Sequence, residues 1–192
     1  MKLNLPNKLT LLRVLLVPLF LFALLFPSDV VIACLCAAAL FGAASFTDML
    51  DGKIARKYNI ITDFGKFMDP LADKLMVFGA LLGILCRFEN IRPYFVWAAF
   101  IVMVRELAVT SMRLVVAGSS GKVIAAKMIG KIKTVTQITA ILLILLEPCC
   151  MQWFGYGIPF ASYFAMLAMS VMTVVSGVDY LKSYWAYIDP SK

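Results

Sequence analysis

Residues 9–26 read LTLLRVLLVPLFLFALLF, and after Pro27-Ser28-Asp29 residues 30–47 read VVIACLCAAALFGAASFT. The first run carries Arg13 as its only charge and the second carries none. A bilayer core takes roughly 20 apolar residues per helical crossing, so the two runs read as successive membrane helices. Four further stretches follow, at about residues 71–86, 94–117, 134–146 and 158–178, the fifth of the set being the shortest. The expected fold is all-α, a polytopic membrane protein with six transmembrane helices. No small-x-small cleavage site follows the first stretch, so it is expected to remain as a helix rather than be removed as a signal peptide.

Composition agrees with this reading. Of 192 residues 62% are hydrophobic and 15% charged, with a mean hydropathy of +0.92, where a soluble domain carries about a quarter charged residues. One membrane domain over residues 1–192 is expected, without a separate soluble module, low-complexity tract or internal repeat. There is no histidine, which excludes Ser-His-Asp hydrolysis, His-based phospholipase chemistry and histidine metal sites. Acid-base and metal work falls to carboxylates or, failing them, to Cys, Tyr or Lys. Cys34, Cys36, Cys86, Cys149 and Cys150 form no CxxC pair and read as small apolar fillers. The net charge of +7, in so apolar a chain, suits topology and anionic head groups better than nucleic acid.

The basic residues set an orientation. Sixteen of the 18 Lys and Arg fall on one side of the six-helix scheme, leaving only Arg87 and Arg92 for the other. The positive-inside rule then places both termini and the two long connections in the cytoplasm. The outer connections, near residues 27–29, 87–92 and 147–157, read as short and nearly featureless. Function is expected on the inner face.

Five of the 11 acids lie between Asp48 and Asp73. Asp48 and Asp51 are three apart and Asp69 and Asp73 four apart, so each pair shares a helical face. The simplest arrangement is two helix ends, joined by a tight connection, presenting four carboxylates to one another. One Asp at the centre of a membrane helix costs about 2.5–3.5 kcal/mol, and two carboxylates about 4 Å apart repel by roughly 4 kcal/mol at an effective dielectric of 20. A polar cavity holding hard divalent cations removes both penalties. All-oxygen ligation suits Mg²⁺ or Mn²⁺, and two such ions are a common device for activating a phosphoryl centre. Gly52, Ala55 and Gly65 leave room beside these faces, and Arg56 is a planar donor suited to phosphate oxygens. The alternative is an ordinary cytoplasmic loop of solvated acids paired with Lys53, Arg56, Lys57 and Lys66.

The run Asp48-x2-Asp51-Gly52-x2-Ala55-Arg56-x8-Gly65-x3-Asp69-x3-Asp73 resembles the signature of the CDP-alcohol phosphotransferase family, without departure at eight positions over 26 residues. The resemblance implies a six-helix membrane enzyme, usually a homodimer. Such enzymes cleave a CDP-linked lipid or alcohol, transfer its phosphoryl-bearing half to another alcohol and release CMP. It implies that Asp48, Asp51 and Asp69 bind two divalent ions, with Asp73 as a further ligand or the general base. Gly52, Ala55 and Arg56, with Thr47 and Gly65 beside them, would line the CDP-lipid site.

The flanks bear on the acceptor. Asn7, Thr10 and Arg13 stand at i, i+3 and i+6, a polar stripe at the inner end of the first helix. They read either as support for the site or as helix capping with Arg13 snorkelling. Arg105 and Glu106 fall near membrane depth, where an ionisable group marks function by default; Glu106, Thr110 and Arg113 form one stripe, and an internal pairing of Glu106 with Arg105 or Arg113 is the alternative. Gly118-Ser119-Ser120-Gly121-Lys122 fails the P-loop spacing, and no strand precedes it. Lys122 and Lys127 suit lipid head groups. Lys131, Lys133 and Thr134 enter the fifth helix beside the expected cavity.

Together with the Pro-Asn-x-Leu-Thr start and the Asp179-Tyr180-Leu181-Lys182 ending, these flanks resemble the branch of the family that takes sn-glycerol 3-phosphate as acceptor. The implied reaction joins CDP-diacylglycerol and glycerol 3-phosphate to give phosphatidylglycerol phosphate and CMP, in a bacterial inner membrane. Arg105, Arg113, Lys131, Lys133 and Thr134 are then the candidates for the acceptor phosphate, with Asn7, Thr10, Arg13 and Glu106 in support. Asp73 would take the proton from the acceptor's C1 hydroxyl as that oxygen attacks the lipid-side phosphorus, directly and in line. Rival readings are the same chemistry with another acceptor, as in cardiolipin, phosphatidylinositol phosphate or phosphatidylserine synthesis, a cation transporter, or a non-catalytic scaffold.

Overall fold

The computed structural model describes residues 4–58, 63–120 and 128–185. The described residues form the helices α1 (Leu5–Leu25), α2 (Val30–Tyr58), α3 (Asp63–Arg87), α4 (Arg92–Ser120), α5 (Met128–Phe154) and α6 (Phe160–Tyr184), with no strand among them. Five of these are long and apolar enough to cross a membrane. The exception, α3, carries Asp69, Asp73 and Lys74 in its N-terminal half. Leu15, Leu19, Phe22, Trp97, Phe100, Phe164 and Leu167 are each more than half exposed, a surface that water penalises and lipid accepts. The chain is a multi-pass membrane protein.

The helices outrun the apolar stretches that reveal them. α2 continues ten residues past Asp48 and α3 begins six residues before Asp69, so these carboxylates lie inside helices, which corrects the expectation of helix ends. The charged turns extend because Lys, Arg, Met and Ala are good helix formers whatever their hydropathy. α5 likewise runs well beyond residues 134–146 and passes through Pro148. One missing N–H is tolerated inside such a helix where neighbouring groups make up for it.

The chain forms two compact units, one from the residues up to Asn90 with Ile141–Ala161, the other from Ile91–Ala140 with the chain from Ser162. In the first, α1 runs antiparallel to α2, pairing Phe20 with Phe41 and Arg13 with Asp48. It runs parallel to α3, pairing Thr10 with Asp69, Arg13 with Asp73 and Val17 with Gly79. Gly79 and Gly83 form a G-x3-G spacing whose missing side chains let α1 approach closely. A Cβ on Gly79 would lie 2.6 Å from Val17 Cγ1, and one on Gly83 would lie 3.0 Å from Leu24 Cδ2.

The far ends of these helices are tied rather than featureless, a second correction. Asp29 Oδ1 caps α2, accepting from the N–H groups of Val31 and Ile32 at 2.8 and 3.1 Å. Arg87 Nη2 donates to the Pro27 carbonyl at 3.0 Å. Glu147, 3% exposed, accepts from the Ala161 N–H at 2.7 Å. In the second unit α4 and α6 run parallel, with Tyr94 edge-on to Tyr163 at one end and Arg113 on Tyr180 at the other.

Candidate active site

The site in the first unit is built on one face of α1. Asn7, Thr10 and Arg13 are all buried there, with Arg13 at 0% exposure. Their spacing of three is what places them in one row. The Thr10 hydroxyl donates to Asp69 Oδ1 at 2.7 Å. Arg13 Nη1 donates to Asp73 Oδ1 at 2.7 Å and pairs with Asp48 Oδ1 at 2.8 Å. The acids of α2 and α3 therefore meet across the guanidinium, and Arg13, wholly buried, does not snorkel. A single fully buried cation cannot be left without counter-charge, and the two carboxylates it holds remain open on another side: their side chains are 37% and 54% exposed.

Gly65 is buried near the start of α3, one turn before the exposed Asp69. Thr47 is half-buried and turns its hydroxyl onto the Ala44 carbonyl at 2.8 Å. Helix α2 runs through residues 51–56, but the side chains of Asp51, Ala55 and Arg56, and the surroundings of Gly52, lie outside the described residues. Among the described residues no three acids or thiols gather closely enough to hold a metal by themselves. The donor set nevertheless fits a divalent cation. It is all oxygen, it is partly open, and it already accepts positive charge from Arg13 between Asp48 and Asp73.

The second unit holds a different cluster, centred on Glu106. Glu106 Oε1 accepts from Arg105 Nη1 at 2.9 Å and from the Lys133 ammonium, which also donates to Gln137 Oε1. Arg105 Nη2 donates to Ser176 Oγ at 2.6 Å. Arg113 Nη2 donates to the Tyr180 hydroxyl at 2.7 Å, and its guanidinium lies 5.2 Å from the Tyr180 ring centre, a cation-π distance. The internal pairing of Glu106 with Arg105 is thus present. Thr110 and Thr134 turn their hydroxyls onto the carbonyls of Glu106 and Gly130, while Lys131 and Thr134 are exposed.

Two cations share one carboxylate around Glu106. Arg105 Nε and Gln137 Nε2 are buried without an acceptor among the described residues. Surplus positive charge with unused donors is the chemistry of an anion site. Sequence reasoning assigned no role to Gln137, Ser176 or Tyr180. Their signal is polar spacing within apolar helices: Lys133 and Gln137 are four apart on α5, as are Ser176 and Tyr180 on α6.

A family model described as CDP-alcohol phosphatidyltransferase matches residues 3–180. The chain is 43% identical over 198 residues to a Bacillus subtilis protein named "CDP-diacylglycerol--glycerol-3-phosphate 3-phosphatidyltransferase", covering 98% of each chain. It is 38% identical over 179 residues to a Mycobacterium tuberculosis protein named "Probable phosphatidylglycerophosphate synthase", covering 93% of this chain and 80% of that one. A Rickettsia felis protein with the same name as the Bacillus one is 31% identical over 187 residues, covering 96% of this chain and 97% of its own.

Proposed function

Because the chain belongs to the CDP-alcohol phosphatidyltransferase family, we propose that it transfers the phosphatidyl group of CDP-diacylglycerol to sn-glycerol 3-phosphate, giving phosphatidylglycerol phosphate and CMP. The observation that carries the chemistry is the meeting of Asp48, Asp69 and Asp73 on one buried polar face of α1. The acceptor rests on the names borne by near-full-length relatives. Those names favour glycerol 3-phosphate over the other acceptors and favour transfer over ion transport. The whole chain acts as one membrane domain in this reading, supported by the family match over residues 3–180.

Members of this family use divalent metal ions. Two ions, Mg²⁺ or Mn²⁺, would be held by Asp48, Asp51, Asp69 and Asp73. When bound they supply Lewis-acid stabilisation of charge on the diphosphate and the leaving CMP. Gly52, Ala55, Arg56, Gly65 and Thr47 bind the cytidine diphosphate portion. Asp73, whose carboxylate is half open, accepts the proton of the acceptor's C1 hydroxyl. The C1 oxygen then bonds to the lipid-side phosphorus, the diphosphate P–O bond breaks, and CMP leaves with that electron pair. Arg105, Arg113, Lys131, Lys133 and Thr134 bind the acceptor phosphate, with Arg105 and Lys133 held in place by Glu106.

The chain works as a homodimer in the bacterial inner membrane, with α3 as a sixth crossing and the termini and active site facing the cytoplasm. The 16-to-2 division of basic residues supports that orientation. A panel of labelled acceptors tests the reading. Label from glycerol 3-phosphate should enter lipid, and that from phosphatidylglycerol, inositol phosphate or serine should not; preferential incorporation of any of the last three would reassign the acceptor.

A further inference from the structure

We propose that Arg13 is a positioning residue that serves as a resident counter-cation, holding Asp48 and Asp73 in an assembled site before any divalent ion arrives. The inference rests on the reading of these carboxylates as cation ligands. The geometry is specific. One nitrogen, Nη1, reaches one oxygen of each acid at 2.8 and 2.7 Å. The side chain is wholly buried while the acids stay partly open, so the charge is fixed from behind and the approach is left to a ligand.

Two acids on different helices repel when no cation is near. α2 and α3 are then kept in register at the site by α1, through Arg13 and through the Thr10 bond to Asp69. A price follows: a positive charge already seated on two ligand oxygens competes with an incoming dication for the same lone pairs. Arg13 therefore stabilises the metal-free protein and weakens metal binding. A residue that merely braced the helices would do the first without the second.

The test uses full-length protein in detergent micelles, with Mn²⁺ as the probe and two readouts: thermal midpoint without metal, and Mn²⁺ Kd by electron paramagnetic resonance. Arg13→Gln should lower the metal-free midpoint, enlarge the Mn²⁺-induced rise in midpoint, and tighten Mn²⁺ binding on the order of tenfold, as expected for losing one partly screened charge. Arg13→Lys, which keeps the charge, should bind Mn²⁺ within about threefold of the parent protein, in keeping with a retained charge. Unchanged or weaker Mn²⁺ binding by Arg13→Gln overturns the proposal. Should that variant not fold, Arg13→Lys decides alone, and tightening of about tenfold there overturns it equally. Parent protein that binds no Mn²⁺ would instead sink the underlying reading of the carboxylates.

Discussion

Replacing Gly79 with Ala adds one methyl group on the face of α3 that meets Val17 of α1. Its Cβ would sit 2.6 Å from Val17 Cγ1, about 1 Å inside ordinary carbon–carbon contact. Val17 is β-branched and has one strongly preferred rotamer in a helix, so it cannot swing clear. Overpacking of this kind costs about 1–3 kcal/mol. Alanine's better helix propensity offsets about 1 kcal/mol, leaving a net loss of about 0–2 kcal/mol. Stability is thus a weak readout, and the geometry of the candidate site is a sharper one. Asp73 lies six residues before Gly79, about 9 Å along the helix. A displacement of on the order of 1 Å stretches the 2.7 Å bonds from Thr10 to Asp69 and from Arg13 to Asp73 beyond good hydrogen-bond length.

Misplacement of that size at a reacting centre costs up to about 10²-fold in rate. Gly79→Ala should therefore lower the kcat for CMP release by about 10- to 100-fold while the thermal midpoint falls only a few degrees. Gly83→Ala is the matched control. Its Cβ would meet Leu24 Cδ2, Leu21 Cδ2 and Phe20 Cε1 at 3.0–3.2 Å, mostly the yielding ends of flexible side chains. It should be milder. Parent-like turnover in Gly79→Ala, or a greater loss in Gly83→Ala, would refute the claim that this helix contact sets the carboxylate geometry.

Other substitutions separate the roles of the remaining groups. Asp73→Asn should keep the fold and much of the CDP-lipid binding but lose CMP release in single-turnover assays; near-normal turnover removes Asp73 as the base. Arg113→Ala should raise the KM for glycerol 3-phosphate more than that for CDP-diacylglycerol, and an equal rise for both would assign Arg113 a structural role on Tyr180. Glu147→Leu leaves the Ala161 N–H without its acceptor and should destabilise the protein by about 1–3 kcal/mol in thermal unfolding, with the KM values unchanged; an unaltered midpoint would mean that this buried contact does not hold the end of α6.

What the sequence disclosed, and what it withheld, follows from how local each signal is. The apolar runs revealed where the helices lie, because burial in lipid needs length and hydropathy alone. The acids of α2 and α3 were legible because their spacing of three and four is a property of a single helix. Arg13 was ambiguous: a buried cation on one helix and a snorkelling one produce the same pattern, and only the acids of two other helices distinguish them. Gln137, Ser176 and Tyr180 were given no role for the same reason, since a polar side chain in a membrane helix acquires meaning from the partner it meets. Pro148 and Glu147 look like a helix end, yet α5 runs on to Phe154 and the Glu147 carboxylate accepts from the Ala161 N–H. The G-x3-G pair at Gly79 and Gly83 was visible in the sequence, but the side chain it receives belongs to α1.

The most direct test of the central claim is CMP release by the purified protein from CDP-diacylglycerol, followed with and without glycerol 3-phosphate and with and without a divalent-metal chelator. Stoichiometric CMP and phosphatidylglycerol phosphate, formed only when both glycerol 3-phosphate and divalent metal are present, is the predicted result. CMP formation that is indifferent to the chelator, or a lipid product that lacks the glycerol phosphate, would contradict it.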